Sequence, residues 1–122
     1  MVSDELVHHL VDMLAPVGAV RAKRMFGGHG IYLGDDMFAL VAEDVLYFKV
    51  DDGNIGEYES RGLEPFVYRR RGKPIALSFR EAPDDALDDE EVLCEWARGG
   101  LDAARRAGKA ARKRNAESRK AG

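Results

Sequence analysis

The glycine-rich segment Gly27-Gly28-His29-Gly30 is the first place where this sequence could bind a phosphate group. A P-loop has four residues between its first glycine and a Gly-Lys-Ser or Gly-Lys-Thr, and a helix follows at once so that its N–H groups face the phosphates. Here the glycines lie between two strand-like patterns, and neither Lys-Ser nor Lys-Thr follows them. We therefore interpret the segment as a bend or bulge, and we expect Gly27, Gly28 or Gly30 to adopt a positive φ.

Histidine and cysteine residues could bind a metal, but their spacing does not favour it. His8 and His9 are adjacent on a predicted helix and point about 100° apart, whereas metal ligands on a helix lie three or four residues apart. His29 and Cys94 have no companion at ligand spacing. Cys94 lies in an apolar helical pattern, which favours a packed thiol over a redox-sensing one. We expect neither a metal nor another cofactor.

Nucleophilic catalysis would require a serine or cysteine beside a histidine. Ser3 fits a helix cap, Ser60 lies near a helix end, and Ser78 falls on the exposed face of a predicted strand. The acidic run 84–91 could imitate a pair of catalytic carboxylates or a cation site, yet its place at the start of a helix suits the helix dipole. The sequence therefore predicts no catalytic residue, and an enzyme would need a deep pocket with converging polar groups.

Basic residues are the remaining feature, and most of them lie near the C-terminal end. Residues 1–101 contain 11 Lys and Arg against 20 Asp and Glu, a balance of −9, whereas residues 102–122 contain 8 against 2, a balance of +6. That density could neutralise nucleic-acid phosphates without reading their sequence. Alternatively, the first two of these cations pair with acidic groups of the protein or of a second subunit. The candidate nucleic-acid contacts are Arg105, Arg106, Lys109, Arg112, Lys113 and Arg114.

The elements that position these residues follow from hydrophobic periodicity. Helical spacing predicts a helix that Ser3 caps, a short helix over 51–61, and a third helix that begins in the acidic run and continues past Leu101. Alternating residues predict strands over 20–26, 31–33, 37–42, 45–50, 65–69 and 74–79. Because the connections between neighbouring strands are short, those strands are antiparallel. A second basic group, Arg69-Arg70-Arg71-Gly72-Lys73, then lies at a hairpin tip.

The resulting order, α-β-β-β-β-α-β-β-α, predicts an α+β fold. We expect a two-layer sandwich in which helices pack on one face of a mainly antiparallel sheet. The other face and the edges of the sheet would be free to dock a partner. The side chains expected to form one common core are Leu10, Leu14, Leu40, Leu46, Phe48, Ile75, Leu77, Phe79, Leu93 and Trp96.

Length and composition are typical of one globular domain. The 122 residues are 45% hydrophobic and 34% charged. We expect a domain over 1–106 and a basic tail over 107–122 that is a frayed helix or disordered. The sequence begins without the basic and apolar pattern of a secretory signal, and its single cysteine cannot form an internal disulfide. These features favour a cytoplasmic protein without a membrane span.

The segment Arg24-Met25-Phe26-Gly27-Gly28-His29-Gly30-Ile31-Tyr32 resembles the signature of the TfoX/Sxy family N-terminal domain. The family typically has Arg-Met-Phe-Gly-Gly, an aromatic residue or His, and then Gly-Ile followed by Phe or Tyr. Three further stretches match in order: the hairpin over 37–49, the hairpin over 65–74 and the closing helix around Trp96. The resemblance covers residues 3 to about 106. It assigns a structural motif to Arg24, Met25, Phe26, Gly27, Gly28, Gly30 and Tyr32.

The resemblance implies a fold similar to that of secretion chaperones and a role as a positive regulator of natural competence genes. The family has no agreed catalytic residues, and its full-length members carry a second, helical domain that this sequence is expected to lack. We therefore expect a non-enzymatic regulatory module that contacts a protein such as a transcription factor or RNA polymerase, alone or as a homodimer. Non-specific nucleic-acid binding through the basic tail is the alternative.

Overall fold

Helices and strands follow one another in nearly the predicted order. The computed structural model describes the backbone of residues 2–25 and 27–121 and the side chains of 4–25 and 27–113. The elements are α1 (Val2–Met13), β1 (Arg21–Met25), β2 (Gly28–Leu33), β3 (Asp36–Ala42), β4 (Val45–Lys49), α2 (Ile55–Ser60), β5 (Pro65–Arg70), β6 (Lys73–Glu81), α3 (Asp84–Asp88) and α4 (Glu90–Ala121).

The six strands form one antiparallel sheet in the order β1-β2-β3-β4-β6-β5. The two-residue turn between β3 and β4 has Glu43 and Asp44 at φ values of +50° and +63°, which matches the right-handed twist of adjacent strands. Helix α2 follows β4, and the chain then returns as β5 at the far edge, so that β6 lies between β4 and β5. The predicted α+β fold with an antiparallel sheet is confirmed.

One face of the sheet packs against the helices. Leu10 of α1, Leu14 just after that helix and Leu93 of α4 are fully buried in this layer, together with side chains from β2, β3 and β4. A bulge in the β2–β3 pairing, between the Ile31↔Ala39 and Tyr32↔Met37 pairs, leaves Phe38 without a partner in β2. Phe38 therefore joins the helix-facing cluster although the alternation along the strand would turn it away.

The opposite face has a hydrophobic cluster of its own, so the expectation of one common core is wrong. Leu40 and Phe79 belong to this second cluster, with Leu77 packed against it. The described residues of this cluster all belong to strands β3, β4, β5 and β6. Ile75 is 39% exposed, and Trp96 is half-buried at the rim of the helix layer, so neither is a core residue.

The predicted third helix is two helices, because Asp89 caps the second of them. Asp89 leaves the helical conformation, with φ −138° and ψ 116°, and its Oδ1 accepts hydrogen bonds from the N–H groups of Glu91 (2.9 Å) and Val92 (3.2 Å).

The expected cap at Ser3 is also wrong, since α1 begins at Val2. Helix α4 continues to Ala121, and the expected domain boundary at residue 106 stays a prediction.

Within the part of the chain that the structure describes, no helix is both long enough and apolar enough to cross a membrane.

The close approach of β2 to β3 at Gly28 gives a test of this fold. A Cβ at Gly28 would lie 2.0 Å from the carbonyl oxygen of Val41, so we expect Gly28→Ala to lower the free energy of unfolding by about 1–3 kcal/mol. Gly27→Ala should cost about 1 kcal/mol, because Gly27 has a φ of +74° in open space. The control is Gly56→Ala in α2, where a Cβ meets nothing within 4 Å. Urea unfolding measures all three variants, and a Gly28→Ala protein as stable as the control would contradict the β2–β3 register.

Candidate docking surface

The glycine-rich motif forms a tight turn and the first part of β2. The φ of +74° at Gly27 confirms the expected positive φ. Gly28, His29 and Gly30, which we expected to form a bend or bulge, are instead strand residues that pair with β1 and β3. Because their backbone groups face neighbouring strands, this segment does not present the converging N–H groups that a phosphate needs.

Other motif residues contact their neighbours in the sheet. The guanidinium of Arg24 lies 3.6 Å from the Asp4 carboxylate, and the side chain of Met25 packs over Gly30. The ring of Tyr32 lies 4.9 Å below the guanidinium of Arg21. Phe26 lies outside the described residues.

His29 and Cys94 lie apart and on different elements. His29 Nε2 is 3.4 Å from Asp4 Oδ1, while its buried Nδ1 has no hydrogen-bond partner among the described residues. Cys94 is buried on α4, its thiol donates to the Met13 carbonyl (3.4 Å), and burial raises its pKa. The preference for a packed thiol is therefore confirmed. No group of three or more His, Cys, Asp or Glu among the described residues could hold a metal ion.

A cleft of about 440 Å³ lies between α2 and α4, and aromatic side chains line it. The rings of Tyr58 and Trp96 meet edge to face at 4.9 Å, and the Arg61 guanidinium lies 5.0 Å from the Trp96 ring. Burial raises the pKa of Tyr58, so its hydroxyl stays neutral. The side-chain amide of Asn54 donates to the Lys49 carbonyl oxygen (3.0 Å), so Asn54 supports the backbone. The described residues that line the cleft include no Ser, Cys or His.

The β5–β6 hairpin extends beyond β4, which pairs with β6 only at Phe79–Glu81. We call residues 67–77 of this hairpin the arm. Its two-residue turn has Arg71 at φ +53° and Gly72 at φ +78°, the geometry of a type I′ hairpin. Four cations and no acidic residue occur in the arm, and none of the four has an ion pair among the described residues: Arg69, Arg70, Arg71 and Lys73.

An apolar stripe leads from the second hydrophobic cluster onto the arm. Along β6 the alternate residues become steadily more exposed, from Phe79 at 6%, through half-buried Leu77, to Ile75 at 39%. Tyr68 pairs with Ile75 across the hairpin. Alternation along the sequence predicts a core position for Ile75. Ile75 is exposed because β4 ends before it reaches this part of β6, so no strand lies beside Ile75 on that side.

A second cleft of about 440 Å³ lies beside the base of the arm. Its wall includes Tyr47 and Phe66, whose rings meet edge to face at 5.0 Å. Burial, together with the carboxylates of Glu81 and Glu43, raises the pKa of Tyr47, so its hydroxyl stays neutral and can donate a hydrogen bond. The cleft combines aromatic walls with the basic arm, which suits a partner that offers both apolar and acidic groups.

The candidate nucleic-acid residues of the tail lie on α4, and one of them has a structural contact. Arg106 binds Asp51 through two hydrogen bonds, Nε to Oδ2 at 2.5 Å and Nη2 to Oδ1 at 2.8 Å. These bonds lower the pKa of Asp51. The side chain of Arg114 lies outside the described residues. The remaining candidates are exposed and have no ion pair among the described residues: Arg105, Lys109, Arg112 and Lys113.

The Asp51–Arg106 pair should make stability depend on acid pH. The pKa of Asp51 is lower in the folded protein than in the unfolded chain, so the ionised carboxylate stabilises the fold. This stabilisation is complete above about pH 4, and it is lost as the pH falls through the pKa that Asp51 has in the folded protein. We expect Asp51→Asn to lower the free energy of unfolding at pH 7, and its difference from wild type to narrow below about pH 4. Urea unfolding between pH 3 and pH 7 measures this, with exposed Asp52→Asn as the control. A difference that stays constant down to pH 3 contradicts the pairing.

Comparison with known proteins supplies the family. No curated protein sequence matches the chain. The family model of the TfoX N-terminal domain matches residues 12–104, a range that contains all six strands, α2, α3 and the first half of α4. Because that match covers most of the 122 residues and the whole sheet, the chain belongs to the TfoX N-terminal domain family.

Proposed function

We propose that this chain is a non-enzymatic regulatory module that acts through protein–protein contacts in transcription, with the arm as its docking surface. The observation that carries the proposal is the position of its exposed apolar side chains. Of the side chains that the structure describes, the large hydrophobic ones that are exposed are Val67 (48%) and Ile75 (39%), and both lie in the arm. Ile75 continues the apolar stripe, whereas Val67 pairs with Ala76 and lies on the other face near the open edge. Exposed apolar side chains on a projecting element are typical of interaction sites.

The charges of the arm indicate what kind of protein would bind. The four cations lie at the end of the apolar stripe and have no acidic residue near them in the hairpin sequence. A partner surface with apolar side chains bordered by Asp or Glu would therefore match the arm in both properties. We propose that this contact forms in the bacterial cytoplasm, with a transcription factor or RNA polymerase as the partner. Membership of the TfoX N-terminal family supports that choice and makes competence genes the first targets to test.

The test is transcription in the source bacterium after deletion of the gene and complementation with arm variants. Ile75→Asp places a charge in the stripe, and we expect it to reproduce the transcript changes of the deletion. Ser78→Asp is the matched control, because Ser78 is exposed on the other face of the same strand and is not paired with Val67. RNA sequencing reads out the result. Equal complementation by the two variants would show that the stripe is not the docking surface, and an unchanged transcriptome in the deletion strain would contradict the regulatory role.

Non-specific nucleic-acid binding is a second candidate function, which one observation favours. Helix α4 continues past the sheet, and its exposed cations Arg105, Lys109, Arg112 and Lys113 have no ion pair among the described residues. Arg106 is held by Asp51, so an experiment that removes it would also disturb the fold.

The second candidate predicts micromolar or weaker binding to duplex DNA, largely indifferent to sequence. Changing Lys109, Arg112 and Lys113 to Gln should weaken it and reduce the slope of log affinity against log salt by about 0.9 for each phosphate that the variant no longer neutralises. Fluorescence anisotropy with a labelled duplex measures both quantities. Arg98→Gln, which removes a cation from α4 outside the tail, is the control. Equal binding by the tail variant and wild type, or no binding by either at low salt, would exclude this function.

A further inference from the structure

Strand β5 is an edge of the sheet, and its outer backbone groups can be identified from the hairpin geometry. In a two-residue type I′ hairpin the residues that flank the turn, here Arg70 and Lys73, exchange both of their backbone hydrogen bonds. The next pair, Arg69 and Pro74, exchanges no backbone hydrogen bonds. This position suits Pro74 because proline has no N–H to donate. Val67 pairs with Ala76 in the same non-bonded class. The N–H and C=O groups of Val67 and Arg69 therefore point toward the open edge.

Val67 also exposes its side chain at this edge. Its exposure of 48% is the higher of the two values for exposed large hydrophobic side chains in the described part of the chain. An edge that combines open backbone groups with an apolar side chain can receive another strand. The opposite edge, β1, is less suited to pair with itself. Three of its five residues are basic and none is acidic, so pairing of β1 with its own copy would bring cations together.

Self-pairing of β5 in one register brings opposite charges together. When two copies pair antiparallel around a two-fold axis at Val67, a residue three positions after Val67 faces one three positions before it. Arg70 then faces the second copy's Glu64, on both sides of the axis. Glu64 and Arg70 are exposed, and neither has an ion pair among the described residues.

Neighbouring registers lack this match. An axis at Arg69 would set two guanidinium groups against each other, which is unfavourable for residues directly opposite in a sheet. An axis at Tyr68 would place Glu64 opposite Gly72 and leave Arg70 opposite Phe66. The distribution of charge around β5 therefore selects the register that is centred on Val67.

We propose that two copies of this chain associate through antiparallel pairing of their β5 strands, with Val67 at the two-fold axis and Arg70 of each copy beside Glu64 of the other. The pairing joins the two six-stranded sheets into one continuous sheet and covers Val67 on both copies. Such an interface is isologous, since the same surface of both copies takes part. Ile75 lies on a face of the arm and not on its edge, so the dimer presents two apolar stripes and two α4 tails to other partners, which favours bivalent binding.

Charge exchange tests the register directly. The dissociation constant of the dimer is measured by sedimentation for wild type, Glu64→Arg, Arg70→Glu and the double variant. We expect each single change to weaken association at least tenfold, because two like-charge pairs replace two opposite-charge pairs, and we expect the double variant to recover most of the original affinity. A monomeric wild type throughout the accessible concentration range, or a double variant weaker than either single variant, overturns the proposal. Sedimentation measures self-association of the purified protein and not transcription, so a negative result would contradict the dimer and leave the proposed function untouched.

A cross-linking experiment locates the axis independently of charge. In a Cys94→Ala background, Val67→Cys should form a disulfide-linked dimer on mild oxidation, since directly opposite hydrogen-bonded residues have Cα atoms about 5.5 Å apart, within disulfide range. Ala76→Cys on β6 is the control and should stay largely unlinked. A second control is Ala22→Cys on exposed β1. Equal cross-linking at all three positions, or faster cross-linking at either control, contradicts pairing through β5.

Discussion

Burial of both faces of β3 is the constraint on which the rest of this structure depends. Every residue from Phe38 to Ala42 is buried, and a strand in that position needs an apolar layer above it and another below. Helix α4 supplies the first layer at close range, because Gly100 has no side chain where a Cβ would lie 3.0 Å from the Phe38 carbonyl oxygen. Side chains of β4, β5 and β6 supply the second. The two layers explain how a chain of this size has two clusters in place of one core.

The packing of α4 on β3 also sets the direction of the basic tail. Gly100 lies on the strand, Arg106 is held by Asp51 at the end of β4, and Gly108 passes beside Asp36 at the start of β3. The helix is therefore guided along the sheet for about one turn after Ala104, its last core residue. The described cations beyond that point project from the domain and remain exposed. Arg106, by contrast, has a structural role through its pair with Asp51.

The arm, unlike the strands that pack against α4, has no neighbouring element to support it. Two strands without a third neighbour are marginal in water, and the arm has neither a helix nor β4 beside it. Natural proteins commonly place charged side chains on such an edge to prevent unwanted strand pairing. Arg69, Arg70 and Arg71 would repel the basic strands of other proteins in this way. The same cations favour a surface that offers carboxylates. In the proposed complexes, the same side chains would discourage pairing with other basic strands and favour acidic partners, including the second copy's Glu64.

The sequence by itself determined the elements and the antiparallel sheet, because alternation, helical spacing and short turns depend on neighbours along the chain. The short helix predicted over 51–61 is followed by Gly62, which has a φ of +67°, and the segment 27–30 contains the expected positive φ at Gly27. Only the tertiary structure decided which face each strand residue occupies. The bulge at Phe38, the exposure of Ile75 and the Asp51–Arg106 pair all depend on residues distant in sequence or on a missing neighbour. A local pattern does not contain the position of a strand's partner, and that position decides whether an apolar residue is buried or exposed.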